Sequence, residues 1–229
     1  MTRLIAIETT SRRGQAALAV DGAIVRQVDL PHGPRHAAAL VAEVAALCEA
    51  EGWPPREVGC VAVSVGPGSF TGTRVGVTFA KTFAFAVGAS VVAVPTAAVV
   101  AANAEERDVC VVFDARRGSV WAERFREGET VERFGVLAPA ELLARLPRPI
   151  TLIGEGLAYH AKAFAEAGAD VRILSEERVW PRVEVVARLA EPMRRAGNVA
   201  DARALTPTYV RRPEAEEQRL MAAAAAASA

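Results

Sequence analysis

Lysine is almost missing from this chain of 229 residues: only Lys81 and Lys162 occur, and arginine carries the rest of the positive charge. Basic and acidic side chains balance at 27 each, so the chain as a whole lacks the electrostatic footprint of an independent nucleic-acid binder. Cysteine is scarce as well. Cys48, Cys60 and Cys110 stand apart in apolar settings with no Cys-x-x-Cys pair, which argues against a disulfide framework and a structural zinc site. His32 and His36 are four apart, but Gly33-Pro34 between them forbids the helix that would bring both onto one face, so they read as solvated loop residues. His160 stands alone and reads as a surface helix residue. The opening apolar run, Leu4 to Ile7, is far too short for a signal peptide. The loosest apolar stretch, around 84–102, is interrupted by Gly88 and Pro95. A soluble, cytoplasmic protein is the expectation, with no membrane partner.

Several signatures are missing too. There is no dinucleotide-binding G-x-G-x-x-G and no phosphate loop ending in Gly-Lys-Ser/Thr. Ser69 is no hydrolase nucleophile, because Thr71 stands where G-x-S-x-G needs its second glycine. A peptidase reading therefore finds no nucleophile, base and acid to rest on.

What is present centres on Gly66-Pro67-Gly68-Ser69-Phe70-Thr71-Gly72-Thr73-Arg74-Val75-Gly76. This glycine-rich stretch lies between a short β-branched run, Val58 to Val65, which reads as a strand, and a longer apolar run that predicts a helix over Thr71 to Val87. A glycine turn from strand into helix can point backbone N–H groups at an anion. It can equally let a helix pack close against a sheet, and both readings stand at this point.

Around that stretch the order is β-β-β-α-β-α-β-α. Strands are expected at Leu4–Ile7, Gln15–Val20 and Ala23–Leu30, with Asp21-Gly22 as the hairpin turn, and a helix from about Ala37 to Glu51. A strand over Val91–Val94 and a helix over Thr96–Asn103 complete this half. The second half restarts the theme with strands at Val109–Phe113, Val120–Phe125, Thr130–Val136, Ile150–Ile153 and Val171–Leu174. Helices are expected after Pro139, over Leu157–Ala167 and over Val183–Ala196. Ile5-Ala6-Ile7-Glu8 with Arg12-Arg13-Gly14 is echoed by Val111-Val112-Phe113-Asp114 with Arg116-Arg117-Gly118, an approximate internal duplication. The class is α/β, with mixed sheets covered by helices. The alanine-rich end, 214–229, has helix propensity but nothing bulky to bury, so a frayed helix or disorder is expected there.

Gly66 to Gly76 resembles the GPGSFTGxRxG signature of the TsaB (YeaZ) family. Further points of resemblance are Ile5-Ala6-Ile7-Glu8-Thr9-Thr10, Asp114-Ala115-Arg116-Arg117-Gly118, Gly154-Glu155-Gly156-Leu157 and Pro207-Thr208-Tyr209-Val210-Arg211. The resemblance implies a two-lobed actin/hexokinase/Hsp70-like (ASKHA) fold, with lobes over 1–104 and 105–213. It implies a non-catalytic scaffold subunit of the bacterial machinery that makes N6-threonylcarbamoyladenosine on tRNA. Such a subunit binds and activates TsaD, with the ATPase TsaE as third component, and meets tRNA only through the complex. On this basis the chain needs no cofactor of its own, ATP and a metal ion being held by the partner subunits. TsaD carries a His-x-x-x-His metal pair on a helix whose counterpart here, Pro95 to Ala101, has no ligand. The resemblance places the contact with TsaD, or with a second copy in a homodimer, on Leu40, Val41, Val44, Val75, Phe79 and Phe83.

Glu8, Thr9, Thr10 and Asp114 mark a vestigial nucleotide cleft in the same scheme, although the family usually has Asp where this chain has Glu8. The local alternative is that each acid stabilises its own turn by accepting backbone N–H bonds. An autonomous actin-like ATP-binding protein or ATPase is the alternative function, against which stands the lack of the usual glycines in both acid turns. Arginines outnumber acids between 181 and 213, which suits either tRNA phosphate or a solvated helix face.

Overall fold

A computed structural model describes residues 1–31 and 36–210, side chains at 36–38 excepted. Asp21 and Gly22 both take positive φ, 50° and 84°, the geometry a two-residue hairpin needs to match strand twist. They join β2 (Gln15–Val20) to β3 (Ala23–Asp29), and β2 pairs antiparallel with β1 (Arg3–Glu8). After α1 (His36–Ala50), β4 (Cys60–Ser64) returns parallel to β1, with Ile7 opposite Val63. Then α2 (Phe70–Val87) leads to β5 (Ser90–Val94), giving the sheet order β3-β2-β1-β4-β5.

A short helix α3 (Thr96–Ala101) precedes the second round. This is β6 (Asp108–Asp114), β7 (Val120–Arg126), β8 (Glu129–Leu137), α4 (Pro139–Arg145) and β9 (Ile150–Ile153). The one-turn helices α5 (Gly156–Tyr159) and α6 (Ala161–Phe164) come next, then β10 (Val171–Ile173) and α7 (Val183–Arg195). Its sheet, read from the β8 edge, is β8-β7-β6-β9-β10, the first sheet's order element for element. The duplication expected from two acid-Arg-Arg-Gly turns is thus a duplication of topology.

Each central strand is buried on both faces, and its pleat divides its side chains between two layers. Ile5 and Ile7 of β1 join Leu40 and Val44 of α1 and Val77 and Ala80 of α2. Leu4 and Ala6 join Val183, Val186, Ala187 and Ala190 of α7 on the other face. The last helix among the described residues therefore covers the first sheet. In the second sheet Val111 and Phe113 pack with Ala97 and Val100 of α3, while Cys110 and Val112 pack with Leu142 and Leu152.

Three expectations are corrected. The single helix over Leu157–Ala167 is two turns parted at His160, whose φ of −118° leaves the helical range. His160 is also no surface residue: its side chain is 14% exposed and Nε2 lies 3.0 Å from Asp114 Oδ1. His36 opens α1 instead of lying in a loop, while His32, the side chain of His36, the segment 214–229 and Arg211 and Arg212 lie outside the described residues.

On α7 the buried Glu191 accepts from Arg194 Nε and Nη2, both at 2.9 Å, and from Arg195 Nε at 2.7 Å. These bonds, Arg194 first, hold its carboxyl at about 2. A carboxyl depressed by folding contributes stability that is complete above its unfolded value of 4.5 and is lost as pH falls from there toward 2. Glu191→Gln should cost about 1 kcal/mol at neutral pH, since both arginines are partly in water. It should also flatten acid unfolding in that window. Urea melts at pH ~6 and pH ~3 check this, and an unchanged gap between the two proteins at both would refute it.

Candidate functional site

The glycine turn resolves the choice the sequence left open. Ser69 caps α2, its Oγ accepting from Gly72 N at 3.3 Å, so the helix opens at Phe70. Three other turn amides are taken: Gly66 N by Thr96 Oγ1 (3.0 Å), Ser69 N by the Thr10 carbonyl (2.6 Å) and Thr73 N by the Ser69 carbonyl (2.9 Å). A Cβ built at Gly68 would strike the Thr10 carbonyl oxygen, and one at Gly72 the Thr9 carbonyl oxygen. At Gly76 it would meet Thr9 Oγ1 along with Ile7 and Val63. The glycines bring α2 down onto the end of β1, and Thr9 Oγ1 closes the contact by donating to the Gly72 carbonyl at 2.7 Å. This stretch is a close-packing device.

Under it Glu8 is wholly buried. Its Oε1 accepts from both Thr10 N and Thr10 Oγ1 at 2.6 Å, an acid fixing its own turn. Ser64 approaches the same carboxyl without completing a hydrogen bond: Glu8 Oε2 and Ser64 Oγ are both buried and unpartnered. Burial pushes the Glu8 carboxyl above the usual carboxylate range, against the bonds that favour its ionised form.

Thr10 and Asp114, by contrast, meet at a cleft of about 440 Å³ between the two sheets' turns. Ser11, Arg12, Gly68, Ser69, Phe70, Thr71, Arg116, Glu155, Tyr159 and Tyr209 line it with them. Of the four sequence-expected cleft residues, these two reach the cleft, while Glu8 and Thr9 are fully buried. Asp114 Oδ1 accepts from Arg116 N at 3.1 Å and contacts His160 Nε2. Glu155 is pushed up by burial and then by the Asp114 charge. Among the described residues no group of three or more His, Cys, Asp or Glu is placed to share a metal ion.

A second surface lies on the far side of the α2 N-terminus. An apolar groove of about 650 Å³ runs between α1 and α2, lined by Leu40, Val41, Phe70, Arg74, Val75, Phe79 and Phe83, with Thr78, Thr82 and Ala86 among its other walls. The six expected interface residues divide. Val41 is 62% exposed, and Val75, Phe79 and Phe83 are half-buried, with the Phe79 and Phe83 rings stacked at 5.7 Å. Leu40 and Val44 are 1% and 3% exposed and belong to the core beneath.

Cleft and groove share Phe70 and Thr71 as a wall. That wall is braced by contacts the sequence did not announce. The Arg74 guanidinium lies 3.9 Å from the Phe70 ring centroid and donates from Nε to the Tyr209 hydroxyl at 2.7 Å. The segment carrying Tyr209 is laid across the glycine turn by Thr208 N, which donates to the Val65 carbonyl at 2.7 Å. Lys81 Nζ holds the same segment through the Leu205 carbonyl at 2.8 Å. Only the resemblance at Pro207-Thr208-Tyr209 pointed toward this segment.

Comparison with known proteins agrees with this architecture. The family model described as "TsaD: tRNA N6-adenosine threonylcarbamoyltransferase" matches residues 32–219. The chain is 27% identical over 223 residues to tRNA threonylcarbamoyladenosine biosynthesis protein TsaB of Bacillus subtilis, covering 93% of this chain and 96% of that one. YeaZ from Pseudomonas aeruginosa has a TM-score of 0.75 at 25% identity, over 91% of this chain and 100% of that one. A ROK hexokinase from Thermus thermophilus shares the fold at TM-score 0.50 and 13% identity, over 86% of this chain and 100% of that one. The two duplicated mixed sheets are those of the actin/hexokinase-like (ASKHA) fold. The chain belongs to the TsaD family described by that model, and within it is similar to the TsaB (YeaZ) proteins.

Proposed function

We propose that this chain is a docking subunit, without catalysis of its own, in the synthesis of N6-threonylcarbamoyladenosine on tRNA. Participation in that biosynthesis follows from the similarity to TsaB, and the finer role rests on the surface. The observation that carries it is the apolar groove between α1 and α2, where Val41, Phe79 and Phe83 present apolar area to solvent. A continuous apolar recess flanked by polar surface is the chemistry of a partner site. The partner proposed is TsaD, with TsaE as third component and tRNA met in the assembled complex. ATP and a metal ion are then the partners' to hold. No helix among the described residues is long and apolar enough to cross a membrane, and a cytoplasmic location belongs to the same proposal.

The test is co-purification with TsaD from the same organism. Phe79→Asp should abolish the complex, and so should Val41→Asp, whose exposed position leaves the fold untouched. Retention of the complex by both folded variants would refute this placement of the interface. The polar cleft keeps a second reading in view, an autonomous ATP-binding protein. ATP turnover by the pure chain would favour it over docking.

A further inference from the structure

Two turns of matching sequence stand at the cleft: Ser11-Arg12-Arg13-Gly14 after β1 and Ala115-Arg116-Arg117-Gly118 after β6. All four arginines are exposed, and Arg12 and Arg116 line the cleft itself. The second turn carries them in an uncommon backbone. Arg116 and Arg117 have φ of 62° and 52°, the left-handed region that side chains other than Asn, Asp and Gly avoid. The hairpin turns at Asp21-Gly22 and Glu127-Gly128 each place one non-glycine residue there, whereas this turn places two in succession, both arginine. Strain of this kind persists where the side chain is wanted.

Aromatic rings stand among these charges. Tyr159 is 50% exposed and Phe70 39%, and with Tyr209 they line the same cleft. Arg12 Nη2 donates to the Tyr159 hydroxyl at 2.5 Å, and Arg74 stacks on Phe70. The acids present are restrained: Asp114 is engaged by His160, by Arg116 N and, at 3.6 Å from Oδ2, by Arg116 Nε, an ion pair that RNA phosphate would have to share, and burial favours the uncharged form of Glu155. Arginines that follow a backbone, beside rings that accept bases, are the chemistry of single-stranded RNA recognition.

We propose that this cleft is a binding site for a single-stranded RNA segment, its phosphodiesters held by the paired arginine turns and its bases stacked on Phe70, Tyr159 and Tyr209. The choice of RNA rests on the reading of the chain as a subunit of tRNA modification. The positive charge is local and the whole chain is neutral, so affinity falls in the weak, salt-sensitive range of about 10⁻⁴ to 10⁻⁶ M.

The test is fluorescence anisotropy of the full chain with a labelled single-stranded oligoribonucleotide, at ~50 and ~200 mM salt. Wild type should bind, and more weakly at the higher salt. The double variant Arg116→Gly/Arg117→Asn suits the left-handed backbone of the turn, so it should fold, and it should bind the RNA about tenfold more weakly. Tyr159→Ala should weaken binding by about fivefold or more through lost stacking. Unchanged RNA affinity in the folded double variant would overturn the proposal. So would tight binding of ATP or inorganic triphosphate with none of RNA. If TsaD co-purifies while RNA fails to bind, this site falls and the docking role stands. If RNA binds but TsaD does not co-purify, the docking role falls alone.

Discussion

Gly72→Val is expected to lower the melting temperature by about 10 °C or more, the largest effect anticipated for a single residue in this chain. The new side chain would start where the Thr9 carbonyl oxygen already stands. Neither side can yield easily. Thr9 is tied to the helix through the Gly72 carbonyl, and the next residue, Thr10, accepts from Ser69 N at 2.6 Å. Overpacking against mobile side chains costs about 1–3 kcal/mol, and a clash with hydrogen-bonded main chain belongs at or beyond the top of that range. Gly59→Ala supplies the control, because a Cβ there meets only the Thr2 Cγ2 methyl at 3.4 Å among close neighbours. Thermal melts of the two variants decide the matter. If Gly72→Val melts like wild type, close packing is not what these glycines do, and the anion-cradle reading of the turn returns.

Glu8→Gln should become more stable than wild type as pH rises above 4.5, whereas Glu8→Ala should cost about 2–4 kcal/mol near pH ~4, where the wild-type carboxyl is not yet penalised. The Gln carbonyl can accept the two Thr10 bonds, and its amide faces the Ser64 oxygen that has no partner. The sign follows from the raised carboxyl. The unfolded chain ionises Glu8 near 4.5, while the folded chain holds the proton to higher pH. Between those values rising pH favours unfolding, so wild type loses stability there and Glu8→Gln does not. Alanine instead leaves a cavity and strands the buried Thr10 groups. Urea melts of the three proteins from pH ~4 to pH ~8 test this. A Glu8→Gln protein less stable than wild type at pH ~8 would mean that the buried carboxyl is ionised and its charge required.

Much of the architecture is local chemistry and could be read in order along the chain. Asp21-Gly22 asks for a tight hairpin because both residues tolerate positive φ. Ile150–Ile153 is a short β-branched run, and its strand has those bounds. The repeated acid-Arg-Arg-Gly turn announced two copies of one topology, and five strands in the same order twice are what the chain forms. The glycine signature likewise announced a turn from strand into helix, with close packing as one of its two readings.

The remainder depended on residues far apart in the chain. Val183 to Arg195 has helical periodicity, but nothing within it says that Val183, Val186 and Ala190 would cover Leu4 and Ala6 of the first strand. His160 reads as a surface residue until the second sheet brings Asp114, 46 positions earlier, within 3.0 Å of it. Arg74 and Tyr209 are 135 positions apart and meet only because the 205–209 segment crosses the glycine turn. Of the six apolar residues expected at the docking surface, helical spacing could not separate Val41, which faces out, from Leu40, which faces the core one position away. Periodicity reports which residues are apolar and turn chemistry reports where the chain reverses, because both are set by neighbours in sequence. Which apolar face is left uncovered, which carboxyl is pushed toward its uncharged form and which arginines share a cleft are set by elements packing across the fold, and the tertiary structure alone decided those.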